Sequence, residues 1–168
     1  MRERNYFAAM MVNEGQADAL ITGYSRSYPS VVKPIIELIG TDKGIDRVAA
    51  TNIMLTKRGP IFFSDTAINI NPNARELAKI GAMTATIMSM FGITANLAMI
   101  SHSNFGSSKH VEAKKVAEAV NYMHRYFPNI NVDGEVQVDF ALSRTKLNAK
   151  FPFTKLSKNP VNGLIFPI

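Results

Sequence analysis

Short apolar runs alternate with helical patterns along this chain, and that alternation limits the folds open to it more than any other feature. The runs lie around Leu20, Val48, Ile61, Ala98 and Leu164, and Gly, Pro, Asn or Asp residues punctuate them. Runs of this kind suit buried strands, and the longer periodic segments between them suit helices. Strands separated by helices build a mainly parallel sheet flanked by helices on both faces. An α/β fold with one local hairpin is therefore expected.

The pattern places helices over Arg2 to Asn13 and Val31 to Ile39, the second capped by Ser30 with Pro34 in its first turn. ADALIT (Ala17 to Thr22) reads as a buried strand. VAATNIML (Val48 to Leu55) and IFFS (Ile61 to Ser64) read as a pair joined by Thr56-Lys57-Arg58-Gly59-Pro60. Asn71 as cap and Pro72 as first residue open a long helix to about Met90. Its Met, Ala and Ile residues read as core. LAMIS (Leu97 to Ser101), a helix from Val111 to Tyr126, a turn or strand over Asn131 to Val138, a helix over Phe140 to Lys150 and a strand over Val161 to Phe166 complete the order.

With 168 residues, 46% of them hydrophobic and 19% charged, the chain can bury the core of one domain, which excludes disorder. There is no Cys, which excludes a disulfide scaffold, a thiolate metal site and a Cys nucleophile. MRERNYFAAMMV lacks the long apolar region of a signal peptide, and no apolar run is long enough to span a membrane. The expectation is a cytoplasmic protein with no membrane partner. The net charge of +6 is spread without a dense basic run, so nucleic acid is not an expected partner, while an anionic small molecule is.

Parallel sheets bind ligands beyond the C-terminal ends of their strands. Three segments compete for that edge: Thr22 to Ser30, Asp65 to Asn71, and Ser101 to Ser108. SHSNFGSS has the clearest logic, because it follows a strand, precedes a helix and is small enough for backbone N–H groups to approach an anion. His102, His110 and His124 match no metal spacing. Ser101, Ser103 and Asp65 suggest a hydrolase triad, but no GxSxG elbow accompanies them. Asp133, Glu135 and Asp139 read as structural, or as support for a neighbouring loop.

NYFAAMMV, ADALITG, DTAININPNARELAKI, MISHSNFGSS and VDGEVQVDFAL follow one another as they do in phosphotransacetylase-like domains, and the resemblance covers essentially the whole chain. It implies the isocitrate/isopropylmalate dehydrogenase-like architecture and a homodimer. Free-standing phosphate acetyltransferases typically carry GAxHTTADTxRPA in the first ligand loop and SxSTKGSA in the third. Here the loops read GYSRSYPSVVKPI and SHSNFGSS. Both local forms resemble the domain fused behind the catalytic part of bacterial NADP-dependent malic enzymes, whose parent chain decarboxylates malate oxidatively to pyruvate with NADP and a divalent metal. There the fused domain is thought to sense acetyl-CoA.

The resemblance carries over an acetyl-CoA or acetyl phosphate-like ligand to Ser25, Arg26, Ser27, Tyr28, Ser30 and Lys33 in the first loop and the helix behind it. In the third loop it carries over to Ser103, Asn104, Phe105, Gly106, Ser107 and Ser108. Lys33 stands where the family has Arg, and lacks its bidentate fork. The family's Ser-Arg pair and essential Asp fall beyond Phe166-Pro167-Ile168. The expectation is a partial domain over residues 1–168, without catalytic residues, metal or cofactor of its own. Part of a true phosphate acetyltransferase or butyryltransferase, or a CoA-binding oligomerisation module, remains the alternative.

Overall fold

The computed structural model describes residues 3–43, 45–65 and 68–167. The chain forms two compact units, Met1–Val48 and Ala49–Ile168.

In the first unit, α1 (Arg4–Asn13) packs against α2 (Tyr28–Leu38). The helix expected from Arg2 begins at Arg4, and Arg2 lies outside the described residues. Ser27, not Ser30, caps α2, and Pro34 stands inside it rather than in its first turn. ADALIT is not a strand: it pairs with nothing in the sheet, and Ile21 is 98% exposed. Its apolar content is real, but a strand needs a ladder partner and a buried face, and this segment has neither.

The second unit is built on a five-stranded sheet of order β1-β2-β5-β3-β4, comprising β1 (Thr51–Thr56), β2 (Gly59–Ser64), β3 (Asn96–Ile100), β4 (Asn131–Val136) and β5 (Gly163–Ile165). β1 and β2 form the antiparallel hairpin, turning through Lys57 and Arg58, while β2–β5, β5–β3 and β3–β4 are parallel. The expected α/β sheet, mainly parallel, is thus present. Side chains alternate across it. Leu97, Met99 and Ile165 face one core with α3 (Ala74–Met90) and α4 (Val111–Tyr126). Ala98, Ile100 and Leu164 face the other, with α5 (Val138–Ala141), α6 (Arg144–Lys150) and the short turn of helix Lys155–Ser157.

Two helix boundaries differ from expectation for the same reason. Asn73, not Asn71, caps α3: its side chain accepts from Glu76 N, and Glu76 returns a bond to Asn73 N. That reciprocal pair satisfies two orphan N–H groups at once, which Asn71-Pro72 cannot do. The single helix expected from Phe140 is two, because Ser143 interrupts it and caps α6 through Lys146 N.

Candidate functional site

β3 ends at Ile100, and the chain then makes the Ser101 to Ser108 loop before α4 begins. What shapes this loop lies beneath it, in β4. Val132 belongs to one core and Val136 to the other, although residues four apart on a regular strand share a face. The register explains it: Met99 pairs with Gly134 and Ile100 with Val136, so Glu135 is an extra, bulged residue. The bulge turns the Glu135 side chain, 2% exposed, up against the loop.

Glu135 Oε1 accepts from the Ser103 hydroxyl at 2.9 Å and from Gly106 N at 2.6 Å, and Glu135 O accepts from Phe105 N at 2.8 Å. Since Ser103 donates to Glu135, the Ser107 hydroxyl is the donor in their 3.0 Å contact. Ser103 Oγ also accepts from Ser108 N at 3.0 Å. Ser107 Oγ accepts from Asn104 N at 2.9 Å, and Ser107 N donates to Asn104 O. The Asn104 amide exchanges two bonds with Gln137, whose own amide donates to His102 O at 2.7 Å. The backbone N–H groups of residues 103–108 are all spent on partners within the protein, so the loop is stapled rather than an open nest. Phe105 and Gly106 take positive φ values of 45° and 86° to make this turn. Phe105 packs its ring on Phe151 and Phe153 at 5.0 and 5.2 Å.

Asp133, Glu135 and Asp139 play the supporting roles expected of them. Asp133 Oδ2 accepts from Thr154 Oγ1 and Lys155 N, holding the segment after α6. Asp139 pairs with Lys146 at 2.8 Å; that hydrogen bond holds its carboxyl below the ordinary Asp value. Asp65, fully buried, spends its carboxylate on Ala50 N, Ile68 N and both nitrogens of Asn69. Thr66 and Ala67 of that segment lie outside the described residues.

Sequence reasoning overlooked Lys115. Its side chain is only 14% exposed, and Nζ reaches Glu112 Oε2 at 2.6 Å, Asn71 Oδ1 at 2.7 Å and Pro167 O at 3.4 Å. One cation therefore ties the segments that follow β2 and β5 to the first turn of α4. The hydrogen bond from Lys115 holds the Glu112 carboxyl below the ordinary Glu value.

In the first unit, the expected ligand residues occupy the turn into α2. Ser25, Arg26, Ser27 and Tyr28 are exposed, Ser30 is half-buried, and Lys33 pairs with Glu37 one turn on at 3.7 Å. Asn5, which sequence reasoning also missed, holds both ends of this segment. Its Nδ2 donates to Ser30 O at 3.1 Å, and its Oδ1 accepts from Thr22 Oγ1 at 3.0 Å. An Asn on an otherwise apolar helix face was the available signal, since a buried amide needs partners.

Among the described residues no three His, Asp or Glu side chains gather as a metal-holding group. The loop after β3 carries Gly106 alone, not the glycine triplet of a dinucleotide turn. No helix among the described residues is long and apolar enough to cross a membrane.

A mainly parallel sheet, flanked by helices and with a stapled polar loop at its C-terminal edge, defines an α/β domain. The chain matches the phosphate acetyl/butaryl transferase family over residues 1–168 and belongs to it. It is 35% identical over 165 residues to a phosphate acetyltransferase of Bacillus subtilis (strain 168), spanning 98% of this chain and 51% of that protein. It is 36% identical over 160 residues to an NADP-dependent malic enzyme of Haemophilus influenzae, covering 95% of this chain and 21% of the enzyme. A phosphotransacetylase from Streptococcus pyogenes superposes with a TM-score of 0.85 at 34% identity, over 97% of this chain and 50% of that one. The chain thus spans about half the length of the phosphate acetyltransferase and of the phosphotransacetylase, and about a fifth of the malic enzyme.

Proposed function

We infer that this chain is the phosphotransacetylase-like, acetyl-CoA-sensing part of an NADP-dependent malic enzyme, acting as a cytoplasmic homodimer. The observation that carries the reading is Phe105. Where the loop of free-standing phosphate acetyltransferases usually has Lys, this chain has a ring locked against Phe151 and Phe153. A cation at that point can stabilise charge developing on a transferring group; a phenyl ring cannot. Lys33 in place of the family's Arg weakens phosphate clamping further. Both departures favour binding without turnover. The acetyl-CoA or acetyl phosphate-like anion would meet Ser25, Arg26, Ser27, Tyr28, Ser30 and Lys33. Taken by itself, the second unit offers such an anion the surface of Asn104, Phe105, Gly106, Ser107 and Ser108, while Ser103, which is buried, shapes that loop from beneath. NADP and a divalent metal belong to the malate-oxidising part of the longer chain.

The test is calorimetry with acetyl-CoA beside an acetyl phosphate and CoA assay. Saturable binding without turnover supports a sensor, and turnover well above a protein-free blank supports the alternative, a true acetyltransferase. Gly106→Val should abolish binding, because φ of 86° is closed to a β-branched residue. Wild-type affinity in that variant would exclude this loop as the site.

A further inference from the structure

At the opposite edge of the sheet, where β3, β4 and β5 begin, the second unit has a cavity of about 1460 Å³. It opens between the turn of the β1–β2 hairpin, the start of α6 and the segment leading into β5. Four cations line it, Lys57, Arg58, Arg144 and Lys158, and no Asp or Glu does. None of the four has an ion pair among the described residues. The floor between them is apolar, formed in part by Ile61, Ile93 and Val161.

This arrangement differs from an ordinary solvated face. The chain carries 13 acidic residues, and mixed surface charges normally interleave. Here like charges from three separate segments face one concavity, and nothing but solvent screening offsets their repulsion. A bound anion would relieve that repulsion. Two guanidinium groups offer paired N–H donors suited to phosphate oxygens, and two ammonium groups add point charge. A monocarboxylate would leave most of this charge uncompensated, and a purely inorganic ion would leave the apolar floor wet. No Phe, Tyr or Trp lines the cavity, so a stacked base is not what it is shaped to hold.

We propose that this cavity is a second ligand site, separate from the Ser101 to Ser108 loop, for an organic diphosphate with an apolar body. The diphosphate meets Lys57, Arg58, Arg144 and Lys158 at the rim, and the body covers the floor. Nothing in the acetyl-CoA reading is needed for this site.

Calorimetry on the 168-residue protein with geranyl diphosphate and with inorganic diphosphate tests it. Geranyl diphosphate should bind once per chain, at least tenfold tighter than inorganic diphosphate, and more weakly as salt is raised. Arg144→Glu with Lys158→Glu should lower affinity for both probes at least tenfold while the melting temperature and circular dichroism stay near wild type. Lys109→Glu with Lys114→Glu makes the same change in net charge near the start of α4 and should leave affinity unchanged. The proposal is overturned if neither probe binds the wild type, if both bind equally, or if the two double variants behave alike. Should the Arg144/Lys158 variant unfold, single Lys57→Gln and Arg58→Gln substitutions in the exposed hairpin turn read the same cations, and unchanged affinity in both overturns it as well.

Discussion

Gly106 N donates to Glu135 Oε1 at 2.6 Å, across twenty-nine positions of sequence. The same oxygen takes the Ser103 hydroxyl, so one carboxylate oxygen sets the curvature of the whole polar loop. β4 therefore works as a template for the loop after β3. The loop's shape is fixed before any ligand arrives.

Glu135→Ala should cost about 2–4 kcal/mol, because it leaves the part-buried Gly106 N–H and the buried Ser103 hydroxyl without their acceptor, the second alone worth roughly 1–3 kcal/mol. Glu135→Gln keeps a carbonyl oxygen in place and should lose clearly less. Urea denaturation of the three proteins decides it: equal stability of Ala and Gln variants would mean that Oε1 does not organise the loop.

Gly134 is where the bulge needs a glycine. Its φ is 142°, and a Cβ there would stand 2.6 Å from Met99 O and 3.1 Å from Met99 Cβ, so backbone would have to move. Gly134→Ala should destabilise by at least about 2 kcal/mol, combining strain with the clash. Gly15→Ala is the comparison. Its φ is also positive, 69°, but a Cβ there meets nothing within 4 Å, so it should cost only about 1–2 kcal/mol. Thermal melts showing Gly134→Ala as mild as Gly15→Ala would remove the bulge from the account.

The parallel sheet was legible because β2, β3 and β5 are short apolar runs with helices between them, and burial on both faces needs that composition. The Ser101 to Ser108 loop was legible from its polarity and position. Which way its donors point was not, because the bulge at Glu135 depends on pairing with Met99 and Ile100, thirty-five residues away. ADALIT misled for a related reason: apolar composition does not reveal whether a ladder partner exists. Asn71 was the expected cap, and the reciprocal bonds between Asn73 and Glu76 start the helix two residues later. Lys115 sits in an amphipathic helix where a Lys ordinarily reads as solvated, and two of its three acceptors, Asn71 and Pro167, come from parts of the chain that only the fold assembles.

Asn5→Ala should loosen the turn into α2 rather than the sheet. The substitution leaves Thr22 Oγ1 and Ser30 O without the partner that joins them. A loss of about 1–2 kcal/mol is expected from two part-buried hydrogen bonds. Hydrogen exchange should quicken over residues 22–30 and stay unchanged in β3, β4 and β5. Faster exchange spread evenly over both units would contradict a local clamp.

Lys115→Met keeps most of the side chain's length and removes its charge. In the wild type the hydrogen bond from Lys115 lowers the folded-state pKa of Glu112; desolvation opposes it, and the charges of Lys115, His110 and His102 add smaller lowering contributions. A carboxyl whose pKa is depressed by folding adds stability above its unfolded pKa, in the ordinary Glu range near 4.3, and loses that contribution as pH falls through the folded value. The gap in stability between wild type and Lys115→Met should therefore narrow as pH drops from neutral through that window. It should not close completely, because the bonds from Nζ to Asn71 and Pro167 do not depend on Glu112. Carbon-detected NMR gives the direct reading: the Glu112 carboxyl should titrate at a higher pH in Lys115→Met than in the wild type. An unchanged Glu112 titration, or a stability gap that widens toward acid, would show that Lys115 is not the cation that holds these three segments together.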